Sequence, residues 1–84
     1  MARPLVLIVD DEDIQRTHMA DLARQAGFKT VEAPNGVEAL EVFQHLEPHI
    51  VVTDYHMPGM DGRGLVARLR QLRMGSRVPI TVIT

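Results

Sequence analysis

The sequence contains no cysteine, which excludes disulfide staples and thiolate metal sites. It also lacks any apolar run approaching the roughly 20 residues of a membrane-spanning helix. A secretory leader follows its apolar stretch with small neutral residues. Here Leu5-Val6-Leu7-Ile8-Val9 runs straight into Asp10-Asp11-Glu12-Asp13, so no export signal is read and a cytoplasmic protein is expected. An excess of positive charge is missing too. Nine Lys and Arg stand against 11 Asp and Glu, and a net charge of −2 argues against nucleic-acid binding by bulk electrostatics. The glycines at 36, 59, 62 and 64 form neither a GxGxxG nor a Walker A pattern, so no nucleotide site is expected.

What is present fits one small domain, residues 1–84, with 45% apolar residues for a core and 24% charged residues for a surface. A chain this short buries a smaller share of its surface than a larger one, so its stability rests on close packing. The charge is unevenly spread. Residues 1–42 carry eight acidic and four basic groups, and residues 43–84 carry three and five.

Leu5-Val6-Leu7-Ile8-Val9, bounded by Pro4 and Asp10, reads as a strand buried on both faces, the signature of a parallel sheet. Asp13 is the expected N-cap of a first helix whose apolar stripe takes Ile14, Leu22, Ala23 and Ala26, with His18 beside them and Gly27 as the stop. Residues 28–33 form a second strand. Pro34-Asn35-Gly36 turns into a second helix with Ala39, Leu40, Phe43 and Leu46 on one face, ended by Pro48. Residues 49–53 make a third strand. Asp61 is placed to cap a third helix carrying Leu65, Val66, Leu69 and Leu72, which Gly75-Ser76 stops, and residues 79–84 are a fourth strand. Single helices between strands demand parallel pairing with right-handed crossovers, hence a doubly wound α/β sheet with helices on both faces.

Asp10 and Asp11 follow the first strand and Asp54 follows the third. Open parallel sheets bind ligands beyond the carboxyl ends of their strands, where the strand order reverses. If strands one and three are neighbours, the three carboxylates converge. Their mutual repulsion raises their pKa values unless a cation is present, and an all-oxygen donor set suits a hard ion, Mg²⁺ above all. A carboxylate beside such a metal can attack phosphorus, and Asp54, alone at a strand end before a glycine-containing loop, is the best candidate. Taken alone, an Asp-Asp pair after a strand serves equally well for capping or solvation. The second strand-end aspartate moves the reading towards a metal site.

Val9-Asp10-Asp11, the run Asp54-Tyr55-His56-Met57-Pro58-Gly59-Met60-Asp61-Gly62, and Ala33-Pro34-Asn35-Gly36-Val37-Glu38-Ala39-Leu40 together resemble the receiver domain of two-component response regulators, and the resemblance runs through all 84 residues. It implies a flavodoxin-like sheet of order 2-1-3-4 and a phosphoacceptor switch rather than an enzyme, although one that assists its own phosphorylation and dephosphorylation. It implies Asp54 as phosphoacceptor from a sensor histidine kinase or phosphotransfer protein. Asp11 would be the direct Mg²⁺ ligand, Asp10 a helper through water, the carbonyl of His56 a backbone ligand and Thr84 the switch hydroxyl. The family continues through a fourth helix, a fifth strand and a fifth helix. The chain is therefore expected to be a receiver truncated after its fourth strand, without the family's site lysine and switch aromatic. Its one lysine, Lys29, is not expected to substitute.

Two rival readings stand beside this one. A Mg²⁺-dependent phosphatase with an aspartyl-phosphate intermediate would use the same carboxylates. Those enzymes place a second Asp two residues after the nucleophile, where this chain has His56. The other rival is a non-signalling fragment that self-associates through an exposed fourth-strand edge, since branched edge strands recruit further strands. No nucleic-acid or membrane partner is expected. His45 and His49 straddle Pro48, so no zinc site is expected, and His18 reads as a packed histidine. The side chain of His56 either tunes access to the phosphoryl group or is an ordinary loop residue. Arg63, Arg70, Arg73 and Arg77 read as a solvated stripe, and Met57 and Met60 as packing residues.

Overall fold

The computed structural model describes residues 3–83. Seven elements alternate: β1 (Leu5–Val9), α1 (Asp13–Gln25), β2 (Lys29–Ala33), α2 (Gly36–Leu46), β3 (Ile50–Asp54), α3 (Gly62–Gln71) and β4 (Ile80–Ile83). The strands form one sheet in the order β2-β1-β3-β4, and each neighbouring pair is parallel. This is the flavodoxin-like arrangement.

The central strand β1 has no polar side chain because it is covered on both faces. Leu7 and Val9 join Ala39 and Phe43 of α2 and Leu65 and Leu69 of α3 in the larger core. Val6 and Ile8 face the other way, against Ala20 of α1. The period of two along a strand thus assigns alternate residues of one apolar run to two separate helix layers.

Local chemistry sets the element ends. Asn35 caps α2 by accepting from the Glu38 amide at 2.8 Å, and Asp61 caps α3 by accepting from the Gly64 amide at 2.8 Å. Gly27 ends α1 at φ 98°, in the left-handed region. α2 stops at Leu46, earlier than its proline. The residue before a proline is kept out of the right-handed helix, and Glu47 takes φ 48° instead. α3 ends at Gln71, before Gly75-Ser76.

Two expectations for α1 are corrected. Its N-cap is Glu12, without a side-chain hydrogen bond; Asp13 is already the first helical residue, and its carboxylate accepts from Arg16 at 2.7 Å. Its sheet-facing side is also different. Ile14 is 88% exposed, Leu22 is 52% exposed, and His18 and Ala26 are exposed as well. The buried side runs through Arg16, Ala20 and Ala23. At roughly 100° per residue the centre of this stripe lies about 125° round the helix from Leu22 and about 150° from Ile14. Ala20 is fully buried, and its single methyl lets the helix lie close on Val6 and Ile8. Leu46, expected on the core face of α2, is 53% exposed, one turn past Phe43 where the helix runs off the core.

β4 pairs with β3 on one side and is the sheet's edge among the described residues. Thr84 lies outside the described residues.

Phe43→Ala should destabilise the chain by about 3–5 kcal/mol, because it empties the centre of the larger core. Ile14→Gln should change stability by less than about 0.5 kcal/mol. Urea unfolding of the two variants checks both the core and the orientation of α1.

Candidate functional site

Val9 and Thr53 are register partners in the parallel β1–β3 pair, and the next residue on each strand is an aspartate. Asp10 leaves β1 with its amide still donating to Ala33 O at 3.2 Å, so its backbone is held by the sheet. Asp54 is the last residue of β3 rather than the first residue after it, and it is paired with Ile83 of β4. Asp11 is exposed at the rim. Carboxylate oxygens of Asp10, Asp11 and Asp54 lie within 4.8 Å of one another, the one grouping of three or more such ligand side chains among the described residues.

Asp10 is fully buried. Its Oδ1 accepts from the Glu12 amide at 2.9 Å, which closes a tight turn into α1. Its Oδ2 is buried and has no hydrogen-bond partner among the described residues. Burial pushes its pKa up from the usual carboxylate range. The Glu12 amide works against that shift, the negative charges of Asp54 and Asp11 add to it, and Arg16 opposes it. A buried carboxylate oxygen without a donor, beside two more carboxylates, is the environment a hard cation relieves.

The loop after β3 approaches closely because Gly62 has no side chain. The Gly62 amide donates to Tyr55 O at 2.8 Å, and a Cβ at that position would lie 2.5 Å from the carbonyl oxygen of Asp54. The start of α3 is thereby pressed onto the backbone that carries Asp54. Thr53, fully buried, donates its hydroxyl to that same carbonyl at 3.0 Å. Gly59 turns the loop at φ 78°, and Met57 is buried beneath it in the larger core, as expected.

Other candidates lie elsewhere. Lys29 pairs with Leu5 at the amino end of β1, the end of the sheet opposite the carboxylates. His49 Nδ1 accepts from the Leu5 amide at 3.0 Å, and His45 Nδ1 lies 2.7 Å from Glu41 O, so each ring already has a backbone partner. His56 is exposed and sets its ring edge-to-face on Tyr55, with centroids 5.0 Å apart. The arginine stripe is not one stripe, because α3 ends before Arg73 and Arg77. Arg70 turns its guanidinium onto the carbonyls of Gly75 (3.0 Å) and Val78 (2.7 Å).

The profile of the response regulator receiver domain matches residues 6–84. The chain belongs to that family. Among curated relatives, the sensor histidine kinase RcsC of Salmonella typhimurium is 39% identical over 80 residues, covering 95% of this chain but 8% of the kinase. The positive alginate biosynthesis regulatory protein of Pseudomonas aeruginosa is 48% identical over 67 residues, covering 76% of this chain and 27% of the regulator. Among solved structures, the chemotaxis protein CheY4 of Vibrio cholerae superposes with a TM-score of 0.93 at 30% identity, over 96% of this chain and 68% of that one. The chain thus spans a small part of the curated relatives it matches. Receiver domains are the phosphate-accepting switches of two-component systems, taking a phosphoryl group on aspartate from a kinase. No helix among the described residues of this receiver is long and apolar enough to cross a membrane.

Sequence reasoning named Gly62 within the run after the third strand but gave it no packing role, and it singled out neither Thr53 nor Arg16. Nothing in the sequence marked Arg16, because the expected apolar stripe of the first helix ran through Ile14 and Leu22.

Asp10→Asn should raise the melting temperature of the metal-free receiver. The raised pKa means that the folded state holds the Asp10 proton more tightly than the unfolded state does. This group's contribution to stability therefore falls as pH rises from the ordinary aspartate range through the raised value. The asparagine variant removes that decline. Thermal melts of both chains in chelator, from acid to neutral pH, check the sign.

Proposed function

We propose that Asp54 is the phosphoacceptor of this receiver and that Asp11, Asp10, Asp54 and the backbone carbonyl of His56 hold Mg²⁺ beside it. The observation that carries the reading is the partnerless, fully buried Oδ2 of Asp10 lying among two further carboxylates. The donor set is all oxygen, as a hard cation requires. When bound, Mg²⁺ supplies charge neutralisation between the carboxylates and the incoming phosphoryl oxygens.

The chain's own residues do the rest. An Asp54 carboxylate oxygen attacks the phosphorus of a phosphohistidine carried by a sensor kinase or phosphotransfer protein. The P–O bond forms, the P–N bond breaks, and the imidazole nitrogen leaves with the electron pair. The product is an acyl phosphate on Asp54. Hydrolysis by attack of water on phosphorus restores the carboxylate and releases inorganic phosphate. Asp54 is poorly exposed, at 9%, and its backbone is fixed by β4 on one side and by Gly62 on the other. The backbone that carries the attacking carboxylate is therefore held in place before the donor arrives. Thr84, one residue past Ile83, is proposed as the switch hydroxyl on the strength of the family resemblance.

The relatives carry the receiver in two settings, a sensor kinase and a regulatory protein. The phosphatase alternative is not favoured: His56, at the position where such enzymes have their second aspartate, is exposed and packed on Tyr55.

Incubation with a small acyl phosphate or phosphoramidate and Mg²⁺ should add one phosphoryl group, read by intact mass. Asp54→Asn should abolish the adduct. An adduct that persists unchanged in that variant would move the acceptor elsewhere.

A further inference from the structure

Arg16 makes three side-chain hydrogen bonds beside the site, and none of them goes to the side chain of Asp10, Asp11 or Asp54. Its Nη1 donates to the backbone carbonyl of Asp10 at 2.8 Å. Its Nε donates to Glu32 Oε1 at 3.2 Å and its Nη2 to Asp13 Oδ1 at 2.7 Å. The arginine side chain is only 14% exposed, against 84% for Asp13 and 34% for Glu32. It is buried because it lies one turn before Ala20, on the side of α1 that faces the sheet.

The target of Nη1 is what matters. The carbonyl of Asp10 belongs to the peptide unit joining Asp10 to Asp11. Peptide units are planar, so holding that oxygen restrains the plane that carries both Cα atoms, and with it the two backbone torsions, one on each side, that aim the carboxylates. The remaining arms of the guanidinium anchor this plane to the first turn of α1 and to the end of β2, where Glu32 pairs with Ile8. We propose that Arg16 is a positioning residue that sets the Asp10–Asp11 pair for its cation; this rests on the reading that the carboxylates bind Mg²⁺.

Geometry and charge predict opposite outcomes here. As a nearby positive charge, Arg16 repels a cation, so deleting it would tighten Mg²⁺ binding if charge alone mattered. As a positioning residue, its loss weakens binding, and groups that orient metal ligands typically contribute about 10–100-fold in affinity. Lysine separates the two, since it keeps the charge but cannot reproduce the planar fork.

The experiment has two arms, applied to the parent chain, Arg16→Lys and Arg16→Met. In chelator, amide exchange is followed at Glu12, whose N–H is held by Asp10 Oδ1, and referenced to Val51, whose N–H is held by Pro79 O in the sheet. The reference separates local loosening from global destabilisation. Exchange at Glu12 relative to Val51 should rise severalfold in both variants. Calorimetric titration with Mg²⁺ should show binding weakened by about tenfold in both. Unchanged relative protection at Glu12, or Mg²⁺ binding that is unchanged or tighter in Arg16→Met, overturns the proposal. Should the parent chain itself bind no Mg²⁺, the metal reading of the site fails separately, and the exchange arm, which needs no metal, still decides the role of Arg16.

Discussion

Parallel pairing of β1 with β3, with Val9 opposite Thr53, obliges the next residues of both strands to share one edge, and those residues are Asp10 and Asp54. Everything notable about the site follows from that juxtaposition. Asp11 adds a third negative charge at the rim, and Asp10 is shut away from water with one carboxylate oxygen unpartnered. A fold of this size has little stability in reserve, and crowding carboxylates at one edge of its sheet opposes folding. On the reading proposed above, the same crowding makes the edge receptive to a cation and, through it, to a phosphoryl group.

The rest of the structure holds that unfavourable arrangement still. The Glu12 amide satisfies one oxygen of Asp10, Arg16 fixes the peptide between Asp10 and Asp11, and Gly62 lets α3 press on the backbone of Asp54. These contacts end on backbone groups or depend on the absence of a side chain. They define positions, and the Glu12 amide and Arg16 offset only part of the burial and repulsion that keep the Asp10 pKa raised. The electrostatic conflict is left for a ligand to resolve, which is how a binding site differs from a satisfied salt-bridge network.

That distinction also explains what could be read from the sequence. The apolar run of β1, the Asn35 and Asp61 caps and the strand-end aspartates are signalled by residue type, and each lies where its type implies. The orientation of α1 was not legible, because two stripes share the helix. Ile14 and Leu22 make the more hydrophobic one, yet the helix seats the side with Arg16 and Ala20, since a small residue is what allows close approach to Val6 and Ile8. Asp13 looked like a cap and is instead a partner of Arg16. Arg16 itself was invisible as a site residue, because a hydrogen bond to a carbonyl oxygen leaves no trace in the identity of its acceptor. Neighbourhood of the first and third strands had to be assumed from topology or taken from the family resemblance; the register then made it concrete.

The central claim is that a cation relieves the Asp10–Asp11–Asp54 cluster, and melting temperature against Mg²⁺ concentration tests it most directly. A site preformed in the folded state stabilises by mass action, so the melting temperature of the parent chain should keep rising with the logarithm of Mg²⁺ concentration above saturation of the site. Asp11→Asn, which deletes one charge and one ligand at the exposed rim, should lose most of that rise. A parent chain indifferent to Mg²⁺, or a variant with the same Mg²⁺ dependence as the parent, would contradict the account.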